Sequence, residues 1–145
     1  MIKKAIVAIC ILAASISISE AKGRHHYHHV RTHHIEYSNV AAIGGRPSGC
    51  PHAFCGCEAS RYIFGKIIPE LNLASNWARK FPHTSPAAGM VAVRNHHVFV
   101  LLSHVGGNIW NVHDGNSGHH QTHEHDRNIA GYTIVNPHGS RYASL

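Results

Sequence analysis

The chain has 145 residues, with 13 lysines and arginines, 7 acids, 17 histidines and a net charge of +6 when histidine is neutral. That length suits one domain and is too short for two. Lysine and arginine do not cluster, so no nucleic-acid stripe is expected, and the basic balance points instead to anionic surfaces.

Residues 1–21 read as a secretory signal peptide. Lys3 and Lys4 give a positive start, 5–18 is apolar except for Ser15 and Ser17, and Ser19 and Ala21 place small residues at −3 and −1 of a cut after Ala21. The 14 positions of that run are too few for an ordinary membrane span. Cys10 lacks a lipobox, so no lipid anchor is expected. Cleavage would leave 124 residues and, with Lys3, Lys4 and Glu20 gone, a charge of +5. A secreted or periplasmic location follows.

Residues 22–47 read as a histidine-rich tail and linker. Six histidines fall within 25–34 with few aliphatic neighbours, a composition that cannot build a core. Imidazoles ordinarily titrate near pH 6.5, so mild acid would make such a tail strongly cationic. It could also take up divalent metal adventitiously. The stretch 41–49 is small and rich in Gly and Pro, a linker into a domain at 48–145.

Within that domain, Ala53, Phe54, Cys57, Ile63 and Phe64 set the apolar pattern of a helix over 52–64 that Gly65 would end. A second helix is expected over 72–80, with Asn72 as N-cap and Arg79 and Lys80 in its last turn. Pro82 and Pro86 make 81–88 a loop. Strands follow at 90–93, 97–102, 108–112 and 131–135, with a turn at Gly106 and Gly107 and a stop at Pro137. Helices first and an antiparallel meander second make an α+β domain.

Beyond residue 21 the cysteines are Cys50, Cys55 and Cys57. Three is odd, so at least one thiol stays unpaired within the chain even in an oxidising compartment. A thiol attacks carbonyls as the thiolate, which a helix start and a neighbouring imidazolium favour, and a polar third group orients the imidazole. The sequence offers Cys, then His, then Asp or Asn in that order.

The run Phe54, Cys55, Gly56, then 72–77, 88–93, His97 and Val98, Trp110, and Asp114, Gly115, Asn116 resembles the small exported CHAP-like amidases over residues 48–136. The resemblance implies a papain-like fold, with an N-terminal helix carrying the cysteine packed on an antiparallel β-sheet carrying the histidine. It implies Cys55 as nucleophile, His97 as base, and Asn116 as the polar third member with Asp114 as its alternative. It implies peptidoglycan, or another anionic cell-envelope polymer, as the partner, amide hydrolysis through a thioester as the reaction, and no cofactor. The chain departs from that pattern at Cys57 and Glu58, where an aromatic residue is common, and in carrying Cys50 and Cys57 at all.

Other readings stand beside these. Cys57 and then Cys50 are the alternative nucleophiles, and a Cys50–Cys57 bridge would leave Cys55 as the odd thiol. His96 is the neighbour most easily confused with His97, although strand alternation puts the two on opposite faces. Asp114 to Gly118 also reads as an ordinary turn. The histidines of the tail and the group His113, His119, His120, His123 and His125 offer a metal-binding alternative. A catalytically inactive wall-binding member of the same fold is a third.

Overall fold

The computed structural model describes residues 40–139, which hold two helices and six strands. The stretch read as a signal peptide, 1–21, and the part of the expected histidine-rich tail and linker up to residue 39 lie outside the described residues. The strands are β1 (Ala42–Gly44), β2 (Val91–Arg94), β3 (His97–Gly106), β4 (Ile109–Ser117), β5 (Gln121–Asn128) and β6 (Thr133–Val135). They form one antiparallel sheet in the order β1-β5-β4-β3-β2-β6. The helices are α1 (Cys55–Phe64) and α2 (Ala74–Lys80), joined through a short 3₁₀ turn at Pro69–Leu71. The domain is α+β, as the order of elements in the sequence implies.

Period-two alternation divides the apolar side chains between two cores. Val91, Val93, Val98 and Val100 pack with Leu71, Trp77 and Phe81 beneath the helices. Their strand neighbours Ala92, Phe99 and Leu101 join Trp110, Val112, Ile129 and Ile134 in a separate cluster. A continuous apolar run such as 98–101 is what a strand buried on both faces requires. Trp77 is fully buried, and its indole N–H donates to Leu71 O at 2.8 Å, so the largest ring in the helix-side core leaves no polar atom unpaired.

Three local differences from the sequence reading have physical causes. The expected linker at 41–49 contains β1, in which Ala42 and Gly44 pair with His123 and Thr122; backbone pairing to an open sheet edge needs no apolar pattern. Asn72 lies ahead of α2 and does not cap it: Leu73 occupies the cap position, and Asn72 Oδ1 is buried without a partner. β4 runs through Asp114, Gly115 and Asn116, which read as turn residues, and the turn itself falls at 118–120, where His119 and His120 both adopt φ 57°. Gly65 does end α1, with φ 70° and its N–H on Arg61 O.

The start of α1 is fixed from two sides. Cys57 in its first turn is bridged to Cys50 in the preceding loop, and the pair packs with Phe54 and partly buried Ile67. Gly56 lies against the backbone of the 3₁₀ turn: a Cβ there would stand 2.1 Å from Leu71 O and 2.7 Å from Asn72 O. No neighbouring side chain can yield to relieve that contact, because the obstacle is main chain. Gly56→Ala should therefore cost about 2–3 kcal/mol of stability in denaturant unfolding, the range for overpacking a tight site. Gly44→Ala, whose Cβ meets nothing within 4 Å, is the control, expected within about 0.5 kcal/mol of the parent. Equal stability of the two variants would show that α1 can shift away from the turn.

Candidate functional site

Cys55 is the first residue of α1 and the free thiol among the described cysteines. With Cys57 held in the disulfide, Cys50 and Cys57 are both removed as nucleophiles. Cys55 is 4% exposed, and its sulfur lies 3.9 Å from the His96 carbonyl oxygen. As the first helical residue it sits among backbone N–H groups that have no partner within the helix, where the helix dipole favours negative charge.

His97 opens β3 and closes the two-residue turn after Arg94, its cross-strand partner in β2. Its Nε2 donates to Asp114 Oδ1 at 2.6 Å, and the Cys55 sulfur is near enough to favour the charged ring. With Nε2 committed to Asp114, Nδ1 is the nitrogen left for the thiol. Burial alone would discharge this imidazole. The Asp114 carboxylate and the Cys55 sulfur outweigh burial and push His97 up to about 9, so it is an imidazolium at neutral pH.

Asp114 is the third member of the constellation. It is fully buried, and Oδ2 accepts from His125 Nε2 at 3.1 Å and from Arg127 Nη1. Burial would raise this carboxyl, but hydrogen bonds from His125 and His97 and the charges of His97 and Arg127 hold it well below the usual carboxylate range. Arg127 is itself placed by rings, with its Cζ 4.8 Å from the Phe99 centroid and Nη2 on the Tyr132 hydroxyl at 3.2 Å.

Asn116, the residue that the resemblance aligns with the third position, does not meet His97. It adopts φ 56° two residues farther along β4, and its Oδ1 accepts from His120 Nδ1 at 3.0 Å. Asp114, the alternative, takes the role: it is still in the regular ladder beside β5, which carries His125 and Arg127, whereas the ladder breaks between Asp114 and Ser117 and Asn116 turns away with its left-handed angle. His96 is exposed in the turn and contributes only its carbonyl. Gly115 lets β4 approach α1: a Cβ there would stand 2.6 Å from Glu58 Cβ and 3.7 Å from Cys55 Cα.

The five histidines considered as a metal group do not converge. His113 lies on the opposite strand face, where Nε2 donates to buried Glu58 at 2.8 Å and Tyr62 stacks on its ring at 4.1 Å. Arg61 pairs with the same carboxylate through two 3.0 Å bonds. Hydrogen bonds from His113 and Arg61 hold Glu58 below its ordinary value against the opposing effect of burial. His125 serves Asp114, and His119 and His120 form the turn. Among the described residues no group of three or more His, Cys, Asp or Glu side chains could hold a metal ion.

His125 and Arg127 are the site residues that sequence reasoning missed. The signal lay in the alternation of His123, His125 and Arg127 on one side of 121–128, which reads as a strand only once its polar side chains are granted partners.

No family model, no curated protein and no solved structure matches the chain.

The charged pair links to stability with a definite sign. His97 is raised above its unfolded value of 6.5, so its contribution is complete below about pH 6.5 and is lost as pH rises to about 9. That interval corresponds to roughly 3 kcal/mol. Asp114 is depressed, so the same pair fails in acid as pH falls below the ordinary carboxylate range near 3.8. Asp114→Asn should bring the His97 ring titration, followed by NMR, down toward the ordinary value. A His97 that still titrates near 9 in that variant would remove Asp114 as the cause. His125→Leu deletes one donor to Asp114 and should raise the midpoint of acid unfolding by about one pH unit. An unchanged midpoint would mean that Arg127 and His97 suffice.

Proposed function

We propose that the protein is an exported cysteine hydrolase of papain-like type that cleaves amide bonds in cell-wall peptides. The observation that carries this reading is the linked set Cys55, His97 and Asp114, with the sulfur at a helix start, an imidazolium beside it and a buried carboxylate behind that. The disulfide fits a non-reducing compartment, and among the described residues no helix is long and apolar enough to cross a membrane. The wall-peptide substrate is supported by the resemblance to CHAP-like amidases and by the basic charge of the chain.

The geometry supports these steps. His97 already holds its proton, so the Cys55 sulfur attacks the amide carbonyl carbon as the thiolate of a thiolate–imidazolium pair, with no prior transfer to the ring. The oxyanion forms beside the unpaired N–H groups at the start of α1. His97 returns its proton to the nitrogen as the C–N bond breaks, leaving a thioester and a free amine. Water then attacks the thioester while His97 takes its proton, the C–S bond breaks, and the carboxylic acid leaves. Asp114 keeps the imidazole oriented throughout and stabilises its charge.

Cys55→Ala and His97→Ala should each lower hydrolysis of purified peptidoglycan by about a thousandfold or more. His96→Ala should change it little, because that residue offers only backbone. Iodoacetamide should inactivate the protein and EDTA should not. Activity lost in EDTA and restored by zinc would replace the thiol mechanism with a metal one. Because the leaving amine needs a proton from His97, kcat/KM should fall as pH rises through about 9. A rate still climbing above that pH would exclude His97 as the acid.

A further inference from the structure

Two clefts meet at His97. One, of about 570 Å³, runs along α2 and the β2–β3 turn and is lined by Ser75, Ala78, Val93, Tyr132 and Thr133 among others. The second, of about 470 Å³, lies between His97 and the β4–β5 turn. Its wall is different in kind: Asn116, Ser117, His119, His123 and Arg127, with no acidic residue among the lining side chains.

The donors of that wall are held in place. Asn116 gives its carbonyl oxygen to His120 Nδ1, which leaves its amide nitrogen as the group offered to the cleft. His120 is set in turn against His52 of the loop before α1, their ring centroids 4.9 Å apart. His123 is 5% exposed, and its Nδ1 is one of three buried side-chain polar atoms without a hydrogen-bond partner among the described residues. A buried polar atom in that condition is costly, and the ring that carries it lines this cleft. Arg127 spends one nitrogen on Asp114 and another on Tyr132, and its positive charge still acts on the cleft.

We propose that the cleft beside the β4–β5 turn is a subsite for a carboxylate, so that the amide presented to Cys55 carries an acidic group on one side and a neutral one on the other. The proposal rests on the hydrolase reading for its substrate, and it gives that reading a direction across the scissile bond. A carboxylate accepts hydrogen bonds only, matches an amide, hydroxyl and imidazole wall without acids, and is favoured by the guanidinium. It can come from an acidic side chain or from a free chain terminus.

Binding can be tested apart from chemistry. In the Cys55→Ala protein, four peptides are titrated by calorimetry and by NMR of the histidine rings: N-acetyl-Ala-Glu with both carboxyls free, with the α-carboxyl amidated, with the side chain amidated, and with both amidated. At least one carboxylate form should bind about tenfold more tightly than the doubly amidated peptide, with ring shifts at His119 and His123. Which singly amidated peptide keeps the preference tells side chain from terminus. His119→Gly, in which glycine accepts the left-handed backbone of the turn, should shrink the preference several-fold. Equal binding of all four, no binding at all, or a preference untouched in both His119→Gly and His123→Ala would overturn the subsite. A carboxylate preference in Cys55→Ala, together with no hydrolysis of peptidoglycan by the parent protein with Cys55 intact, would instead overturn the hydrolase reading and leave the subsite standing.

Discussion

Asp114 is a carboxylate with no access to water, and the site is arranged around keeping it charged. Its two oxygens take three donors from three positions: His97 at the start of β3, and His125 and Arg127 on β5. An ionised carboxyl without such partners would take up a proton instead. The three donors can converge only if β4 lies between β3 and β5, which is the observed strand order. The sheet topology and the protonation of His97 are therefore one constraint seen at two scales.

The same logic recurs across the sheet. His113, next to Asp114 in β4, faces the helices, where buried Glu58 accepts from it and from the half-exposed Arg61. Adjacent residues of one strand thus anchor two networks on opposite faces. The second network fastens α1 to β4 through Glu58, and Gly115 permits the close approach. Cys55 lies one turn before Glu58, so the network that contains no reacting atom fixes the depth at which the thiol sits.

How much of this was legible follows from the kind of side chain involved. Val98 to Leu101 announced a buried strand because apolar runs have few other uses, and Gly65 announced a helix end because only glycine takes that backbone cheaply. Cys55 and His97 were legible as a pair through their order and local setting. β5 was not: 121–128 carries no aliphatic residue, and its His125 and Arg127 are held by Asp114 on the neighbouring strand, a pairing that no apolar pattern records. Asp114 and Asn116 were not separable either. Both are polar and flank a glycine, and what distinguishes them is a left-handed backbone angle at Asn116, fixed by the turn that follows.

The Cys50–Cys57 disulfide also determines which molecules can carry a free sulfur at the helix start. Cys50, Cys55 and Cys57 can pair in three ways, and only Cys50–Cys57 leaves Cys55 as a thiol. The other two pairings consume it, and neither would be corrected by hydrophobic burial alone. Oxidation is thus a sorting step, in which a population of uniform mass divides into molecules with a free thiol at the helix start and molecules without one. The yield of the free-thiol form is then set by thiol–disulfide exchange as much as by the stability of the fold.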